Sequence, residues 1–375
     1  MLKILIAPDS FKESLTATQV CEAIAAGIRS VNPYSAIDLL PFSDGGEGAF
    51  ELFDALKLGA KIECDTFDPL RRSLKASYYG FKDGKTAWVE LSQASGLALL
   101  KDSEKNPLLT STYGTGLQIN HALDNGFTTI ILGIGGSATH DLGTGIFEAL
   151  GGKLLDPTKN SLHAKGEHLA RCTELDFKNL NTNLRNATSI VACDVTNTLL
   201  GKTGAAYTYA PQKGASPAVV AQLEEGATHF AKLVQQKRNK DLTQIKGGGA
   251  AGGTAAGMFG LFDSALKPGF DLLSDLTALE ERVREADLLI TGEGKTDNQS
   301  QYGKVPFKLA ELAKKYHKPL LLFAGSVSAT PEILTRAGIT AAYAIKTETM
   351  TLDYAKTHAY SLLKDAVLKN LKNHI

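Results

Sequence analysis

The sequence predicts an α/β protein whose parallel sheet draws strands from both ends of the chain, with a second α/β domain inserted between them. Three features lead to this fold class. Near both termini, short apolar runs that suit buried strands alternate with stretches whose apolar residues recur at helical spacing. Glycine-rich segments follow several of these runs. From about Lys61, alternating and aromatic residues around a Lys82–Lys85 turn indicate an antiparallel hairpin and a change of domain.

Chain length and composition set the expected number of domains. With 375 residues the chain exceeds one ordinary hydrophobic core, so two domains are expected. We place a Rossmann-like α/β domain at residues 1–66 and 281–375 and the inserted α/β domain at 67–280, with Asp68–Arg72 as the crossing. A hydrophobic content of 43% and a charged content of 21% are typical of a soluble globular protein.

Charge and cysteine usage argue against several classes of function. Forty basic residues balance forty acidic ones, so no net field attracts nucleic acid or an anionic membrane. The four cysteines are far apart and form no C-x-x-C pair, which argues against a zinc ribbon or a disulfide framework. The apolar N-terminus ends at Pro8, too early for a signal peptide, and no stretch approaches membrane-spanning length. We expect a cytoplasmic enzyme that binds small molecules, and the sequence leaves its oligomeric state open.

Local patterns predict the individual elements. Thr16 and Gln19 form a capping-box pattern ahead of apolar residues at helical spacing, which predicts a helix after the first strand. Ser216 and Pro217 predict the start of a long amphipathic helix, because proline favours the first helical position. The expected strands are Leu2–Ala7, Ile37–Leu40, Thr128–Leu132, Thr188–Val195, Leu288–Thr291, Leu320–Ala324 and Ala341–Ile345, and further helices are expected near 50–56, at 110–123, after 145, from 306 and at the C-terminus.

Residues 128–152, TTIILGIGGSATHDLGTGIFEALGG, combine a buried strand, a glycine-rich turn and a helix. Such a junction presents backbone N–H groups and a helix N-terminus to an anion. Gly133, Gly135 and Ala138 also satisfy G-x-G-x-x-A, and Asp156 lies roughly ~20 residues downstream, where a ribose-binding acid is expected. The pattern alone is equally consistent with a tight turn between a packed strand and helix. The glycine-rich stretch at 247–260 leaves the same alternatives open.

The residues best suited to chemistry cluster in five loops that follow predicted strands. In parallel α/β sheets, ligands bind outside the carboxyl ends of the strands. Glycine N–H groups and lysines can hold phosphate oxygens, while carboxylates can hold Mg²⁺ and accept a hydroxyl proton. The pattern therefore predicts a phosphate and metal site. The five loops are Asp9–Lys12, Ser43–Glu47, Gly133–Asp141, Asp194–Asn197 and Thr291–Asp297.

Common catalytic motifs are missing from the sequence. Gly-Lys-Thr occurs at 201–203 and at 294–296, but a P-loop needs a glycine five positions earlier, where Thr196 and Leu289 stand. The histidines form no H-E-x-x-H motif, although His140 lies in the central loop and could touch a phosphate. No G-x-S-x-G motif indicates an α/β-hydrolase. A kinase of this sequence is therefore not a P-loop kinase.

Eight motifs in order make the chain similar to the bacterial glycerate kinase family that does not use a P-loop. They are APDSFKESL, SDGGEG, TSTYGTG, GGSATHDLGTG, CDVTN, GA…APQKGA, GGGAAGG and TGEGKTD…GK, and they span essentially the whole chain. The resemblance implies phosphorylation of D-glycerate with ATP and Mg²⁺, usually giving 2-phosphoglycerate, although 3-phosphoglycerate is also assigned within the family. It also implies two α/β domains with the active site in a cleft.

The chain departs from the pattern of the family at a few positions. His140 and Leu142 stand where relatives commonly read GGSATNDGG, and Thr198 stands where they have proline after CDVTN. Lys295 replaces the arginine of TGEGR, which keeps the charge but loses a bidentate fork. Arg71 takes the place of glycine in D-P-L-G-R. No departure removes a carboxylate or the glycine framework.

Phosphoryl transfer requires positioning and charge neutralisation, which suggests catalytic roles for three residues. We expect Asp194, at the end of a strand, to accept the proton of the glycerate hydroxyl group, with capping of the next turn as the alternative. Lys12 and Lys295 are expected to neutralise the transferring phosphate, with solvated surface lysines as the alternative.

The remaining candidates bind substrate, metal and phosphate. Ser10, Asp44 and Arg72 are expected to hold the substrate, since a guanidinium fork matches a carboxylate, although such an arginine often only pairs with an acid. Asp44, Glu293 and Asp297 are expected to bind Mg²⁺. The sequence does not say which loop holds ATP and which holds glycerate. The expected phosphate-facing N–H groups belong to Gly135, Gly136, Ser137, Gly292 and Gly294.

Two other functions remain as alternatives. An NAD(P)-dependent oxidoreductase would explain the G-x-G-x-x-A pattern and Asp156, but it would leave the other acid-rich loops without a role. A non-catalytic sensor of a phosphorylated ligand would keep the fold and bind nucleotide or glycerate without turnover.

Overall fold

A computed structural model describes residues 1–43, 45, 48–301 and 303–375. Strands and helices alternate through most of this part of the chain. The strands are β1 (Lys3–Ile6), β2 (Ala36–Leu39), β3 (Gly59–Phe67), β4 (Ser73–Phe81), β5 (Thr86–Glu90), β6 (Thr129–Gly133), β7 (Lys153–Leu155), β8 (Ser161–Leu162), β9 (Glu174–Asp176), β10 (Thr188–Ala192), β11 (Ala265–Lys267), β12 (Leu288–Thr296), β13 (Leu320–Val327) and β14 (Ala341–Ala344). The helices are α1 (Ala17–Val31), α2 (Ala49–Ala55), α3 (Ser92–Ser95), α4 (Tyr113–Asp124), α5 (Thr144–Ala149), α6 (Ala205–Tyr209), α7 (Pro217–Arg238), α8 (Ala250–Phe262), α9 (Gly269–Thr277), α10 (Leu279–Glu285), α11 (Val305–Lys315), α12 (Pro331–Ala337), α13 (Leu352–Thr357) and α14 (Ala359–Asn370).

The first of two compact units contains a five-stranded parallel sheet in the order β14-β13-β12-β1-β2. Strand β1 lies between β12 and β2, with Ile4 opposite both Leu288 and Ile37. Helices α1 and α14 pack together over this sheet, and Ile24 and Val367 are among their fully buried residues. The predicted parallel sheet built from both chain ends is confirmed.

The second unit contains a six-stranded mixed sheet in the order β11-β10-β6-β5-β4-β3. Strands β11, β10, β6 and β5 are parallel, while β4 and β3 are antiparallel to their neighbours. The predicted hairpin around Lys82–Lys85 is formed by β4 and β5. A small antiparallel sheet, β8-β7-β9, was not predicted, because its strands are only two or three residues long.

The bounds of the units differ from the predicted domain bounds. The first unit comprises Met1–Asp44, Gly48–Lys57 and Phe270–Ile375, and the second comprises Gly45–Glu47 and Leu58–Gly269. The predicted bounds were 66/67 and 280/281. Strand β3 belongs to the second unit because it pairs along its whole length with β4. Asp68–Arg72 is therefore the turn of a hairpin within this unit and not a crossing between domains.

Several local predictions agree with the structure. Thr16 and Gln19 form the capping box of α1, with Thr16 Oγ1 accepting from the Gln19 N–H at 3.3 Å. Ser216 caps α7, and Pro217 is its first residue. Strand β12 is longer than predicted and continues to Thr296, because Gly292 to Thr296 extend along β13. No helix within the described ranges is both long and apolar enough to cross a membrane.

The glycine-rich stretch at 247–260 serves close packing within the chain. Helix α8 is interrupted at Ala251–Gly253, where three successive residues have positive φ angles. A Cβ atom at Gly252 would lie 2.1 Å from the carbonyl oxygen of Thr139, and one at Gly257 would lie 1.7 Å from that of Leu142. Backbone of the loop after β6 therefore occupies the space that side chains would need.

We expect Gly257→Ala to destabilise the protein. The added methyl group must displace backbone, so the free energy of unfolding should fall by about 3 kcal/mol in equilibrium urea denaturation. The matched control is Gly226→Ala in α7, where the new Cβ would lie 3.2 Å from the Leu169 Cβ. Alanine favours a helix over glycine by about 1 kcal/mol, which offsets the small shift that Leu169 must make, so this control should lose much less stability than Gly257→Ala. Equal stability of the two variants would contradict the packing interpretation.

Candidate functional site

A pocket of about 520 Å³ opens in the first unit where the loop after β1 meets the ends of β12 and β13. One group of lining residues is basic, and another is apolar. The basic residues are Lys12, Lys295, Lys304, Lys346 and Lys356. The apolar residues are Phe11, Ile345, Leu352, Ala355 and Ala359. The pocket therefore offers positive charge and apolar contact to the same ligand.

Five predicted site residues line this pocket. They come from two parts of the chain that become neighbours because β1 and β12 are adjacent parallel strands. The Asp9 N–H donates to the Gly292 carbonyl oxygen at 2.8 Å, which extends the contact beyond the strands. The five residues are Ser10, Lys12, Glu293, Gly294 and Lys295.

Glu293 is held in place by two neighbours. Its side chain is almost fully buried, and its Oε1 accepts a hydrogen bond from Thr296 Oγ1 at 2.9 Å. Its Oε2 lies 3.1 Å from the Nζ of Lys304, which also donates to the Lys295 carbonyl oxygen at 3.2 Å. Sequence reasoning missed Lys304. The available signal was its place in the last motif, directly before the helix α11.

Three further contacts involve residues that line the pocket. Lys356 pairs with Glu13, which holds the pKa of that carboxyl group below its usual value. Ser14 Oγ donates to the Lys356 carbonyl oxygen at 2.7 Å, so the loop after β1 is fastened to α13. Lys295 lies 3.1 Å from Asp297, and its hydrogen bond lowers the pKa of that carboxyl group. Gly292 and Asp297 adjoin the pocket without lining it.

The predicted metal ligands were Asp44, Glu293 and Asp297. Asp44, expected to bind both substrate and Mg²⁺, lies outside the described residues. Among the residues that are described, no group of three or more His, Cys, Asp or Glu side chains could hold a metal ion. Glu293 and Asp297 nevertheless fit Mg²⁺, because this ion is commonly held by one or two carboxylates together with substrate phosphates.

In the second unit, the loop after β6 carries the predicted residues Gly135, Gly136 and Ser137. Gly136 is exposed and has a φ angle of 66°, which favours glycine. The loop is fastened by hydrogen bonds on both sides, with Leu97 N–H donating to the Gly136 carbonyl oxygen at 2.7 Å and Ala138 N–H to the Ser95 carbonyl oxygen at 2.9 Å. No described acceptor takes a hydrogen bond from the N–H groups of residues 135–137.

Asp141 supports this loop from inside the unit. Its carboxylate accepts hydrogen bonds from the N–H and hydroxyl groups of Thr112, at 2.7 and 2.9 Å, and from the N–H groups of Gly143 and Gly145, at 3.2 and 3.1 Å. Burial raises its pKa, and these hydrogen bonds oppose the rise. Asp141 thus joins the start of α4 to the start of α5.

His140 is buried beside Asp141. Neither ring nitrogen has a hydrogen-bond partner among the described residues. Burial, with a smaller contribution from Lys213, lowers the pKa of His140 to about 3, so the ring is neutral at physiological pH.

Asp194 and Arg72 already have partners in the second unit. Asp194 is exposed, and its carboxylate accepts from the Gly269 N–H at 2.9 Å. Arg72 lies 2.5 Å from Asp68 and 2.7 Å from Glu104, and these hydrogen bonds raise its pKa. This pairing with acids is the alternative that the sequence left open for Arg72.

The structure does not place Asp156 at the position that the dinucleotide interpretation requires for a ribose-binding acid. It follows β7, a strand of the small sheet, and its carboxylate accepts hydrogen bonds from the N–H groups of Thr158 and Asn160, both at 2.9 Å. The oxidoreductase alternative therefore loses the acid on which it rested.

Known proteins show extensive similarity to this chain. A sequence model of the glycerate kinase family matches residues 4–373. Glycerate 2-kinase of Escherichia coli K12 is 41% identical over 359 residues, covering 96% of this chain and 94% of the relative. A glycerate kinase of Halalkalibacterium halodurans is 42% identical over 367 residues, covering 98% of this chain and 96% of the relative.

A solved structure agrees with these sequence matches. The crystal structure of a protein assigned as glycerate kinase 2, from Salmonella typhimurium LT2, has a TM-score of 0.87 and 38% sequence identity, and the match covers 99% of this chain and 98% of that one. By sequence and by fold, this chain belongs to the glycerate kinase family.

Proposed function

We propose that the chain transfers the terminal phosphoryl group of ATP to D-glycerate and forms 2-phosphoglycerate. The observation that carries this proposal is the pocket of the first unit, whose lining combines five lysines with an apolar group of residues. Membership of the glycerate kinase family supplies the acceptor. The E. coli relative is named a glycerate 2-kinase, which supports the 2-position of the product.

The pocket suits a nucleotide better than it suits glycerate. Its volume of about 520 Å³ falls within the range of sites for cofactor-sized ligands. A three-carbon acid would fill only a small part of it and would leave the apolar wall in contact with water. A nucleotide can place its base against Leu352 and Ala355 and its phosphates among Lys12, Lys295 and Lys304.

Mg²⁺ completes the charge neutralisation in this proposal. Glu293 and Asp297 would hold the ion, in addition to the phosphate oxygens of ATP. When bound, the ion polarises the phosphoryl oxygens and neutralises part of their charge. Lys304 keeps the Glu293 carboxylate oriented, since it bonds both this carboxylate and the carbonyl oxygen of Lys295.

The second unit supplies candidates for the acceptor side of the reaction. We assign the proton of the glycerate hydroxyl group to Asp194, which is exposed and fixed by its bond to Gly269. Ser10, in the first unit, remains a candidate for polar contact with substrate. We assign Arg72 to holding Asp68 and Glu104 together, because its guanidinium group is already bonded to both.

We place the enzyme in the cytoplasm. The cysteines Cys21, Cys64, Cys172 and Cys193 are all free thiols, which suits a reducing compartment.

The reaction itself is tested with purified protein, Mg·ATP and D-glycerate. We expect ADP release that depends on D-glycerate, and a product whose phosphorus–proton coupling in NMR spectra identifies the 2-phosphate. A 3-phosphate would correct the product and leave the reaction class intact. Binding of ATP without turnover of any hydroxy acid would instead favour the sensor.

The assignment of Asp194 as the general base is tested with Asp194→Asn, whose side-chain amide oxygen can still accept the hydrogen bond from the Gly269 N–H. We expect kcat to fall by roughly 10²- to 10⁴-fold, because general-base catalysis is lost, while Kd for Mg·ATP stays within about twofold of wild type. The control is Asp156→Asn, which changes an exposed turn acid and should leave kcat unchanged. Normal turnover of Asp194→Asn would contradict the assignment.

The nucleotide pocket is tested with Lys304→Met. Loss of a charged hydrogen-bonding group should raise KM for ATP by roughly 10- to 100-fold, while KM for D-glycerate changes little. The matched control is Lys308→Met in the first turns of helix α11, which begins directly after Lys304, because Lys308 pairs with Glu311 at 3.5 Å and does not line the pocket. A larger effect on KM for D-glycerate than for ATP would show that the pocket holds the acceptor.

A further inference from the structure

Lys213 is a buried lysine that lies directly beneath the loop after β6. Its side chain is 2% exposed and belongs to the short 3₁₀ turn Pro211–Lys213. Its Nζ donates to the Thr139 carbonyl oxygen at 2.7 Å and lies 3.3 Å from Ser137 Oγ. A lysine is rarely buried unless it is paired, so the position calls for a physical reason.

The loop above Lys213 is a group of donors without acceptors. The N–H groups of Gly135, Gly136 and Ser137 donate to no described residue, and Gly136 is exposed. Successive N–H groups of this kind form concave sites for anions. Ser137 Oγ also accepts a hydrogen bond from the Thr139 N–H at 3.1 Å, so the loop is fixed from within.

The charge of Lys213 is only weakly compensated by the protein. The acid that acts on it is Asp141, whose oxygens already accept hydrogen bonds from Thr112, Gly143 and Gly145. Burial lowers the pKa of Lys213 to about 7, and Asp141 opposes this shift. An anion on the loop would add the missing negative charge and favour the protonated amine.

We propose that Lys213 is the positioning residue of an oxyanion site formed by the N–H groups of Gly135, Gly136 and Ser137. The amine holds the loop through Thr139 and Ser137 and supplies positive charge beneath it. The ligand is a carboxylate or phosphoryl group. The inference rests on the proposed function only in taking these groups to be those of D-glycerate or ATP.

The sign of the pH dependence follows from the charge of the ligand. A bound anion raises the pKa of Lys213 above its value of about 7 in the free protein. When the pH lies between the pKa values of Lys213 in the free and in the anion-bound protein, binding of the anion is accompanied by uptake of a proton. The affinity for the anion must therefore fall as the pH rises through this range. Below about pH 7 both forms carry the proton, and the contribution of Lys213 no longer changes with pH.

Other groups near Lys213 do not confuse this test. His140 has a pKa of about 3 and is neutral throughout the range. Burial raises the pKa of the Asp141 carboxyl group against the effect of its hydrogen bonds, so comparison with a Lys213 variant is needed to assign the proton, and Tyr209 of α6 has a raised pKa. Lys105, whose backbone adjoins Gly214, directs its amine to Asp102 at 2.6 Å.

The experiment is calorimetric titration of the full-length protein between pH 6 and 9, in pairs of buffers with different ionisation enthalpies. The probes are D-glycerate and sulfate, because neither changes charge in this range. At pH 8 we expect uptake of between about half a proton and one proton per bound anion, and an affinity that falls by up to about tenfold per pH unit above pH 7. Proton uptake with D-glycerate alone identifies a carboxylate site, and uptake with sulfate identifies a phosphoryl site.

The variant Lys213→Met should remove both the proton uptake and the pH dependence, and should weaken binding of the same probe at pH 7. Its control is Lys240→Met, which removes an amine that lies 2.8 Å from Asp263 and should leave the linkage intact. Should Lys213→Met fail to fold, Lys213→Arg is the second variant, because a guanidinium group stays protonated between pH 6 and 9, so anion binding should persist without proton uptake.

Binding of both probes without proton uptake would overturn the inference, and so would a pH dependence that persists in Lys213→Met. Binding of neither probe would overturn it as well. Proton-linked anion binding without turnover would support the oxyanion site and contradict the proposed kinase activity. Turnover with a pH-independent KM for both substrates would support the kinase activity and contradict the oxyanion site.

Discussion

Strand β1 enters the first sheet between β12 and β2, and Ile4 lies beside Leu288 from the far end of the chain. Parallel neighbours end at the same edge of a sheet, so the loops that follow β1 and β12 must emerge side by side. The hydrogen bond from Asp9 to Gly292 continues this contact past the last paired residues. The proximity of Ser10 and Lys12 to the buried Glu293 and to Lys295 in the pocket lining depends on this one pairing.

The second unit is organised by a different constraint, the close contact of two backbones. The turn at Ala251–Gly253 lies against Thr139 and His140 so closely that no side chain fits between them. The polar groups of Thr139, His140 and Asp141 in the loop after β6 are consequently removed from water. Asp141 meets this requirement with four hydrogen bonds, whereas Lys213 has only two acceptors for three protons. This difference makes Asp141 a structural residue and leaves Lys213 open to influence by a ligand.

Much of the fold could be predicted because its signals are local. The capping box at Thr16, the proline at 217 and the apolar runs act over a few residues, and each gave an element of the structure. The parallel sheet followed from alternation at both chain ends. The bounds of the units and the small sheet at β7–β9 depend on pairings between strands, which periodicity does not report.

Sequence reasoning placed candidate site residues where glycine and acid residues follow strands, and it did not find the long side chains that reach across the fold. Lys304 and Lys213 carry no local signal of burial or of partner, because each acts on a segment distant in sequence. For Arg72 the reverse is true. Its motif suggested that it binds a ligand, but in the structure its guanidinium group is bonded to Asp68 and Glu104. Residue type and spacing thus indicate which loops matter, while competition among partners decides what each side chain does.

The position of β1 also sets an order of events during synthesis. Strand β1 is translated before the second unit, yet one of its two partners, β12, is translated only after that whole unit. The apolar residues Ile4, Leu5 and Ile6 therefore lack one neighbouring strand at the stage when every strand of the second sheet has already been translated. Since domains tend to fold as units during translation, the second unit can finish folding first and the first unit last. A nascent chain of this protein consequently exposes an apolar strand with one unpaired edge until β12 has been translated, and such edges make incompletely folded chains prone to aggregation.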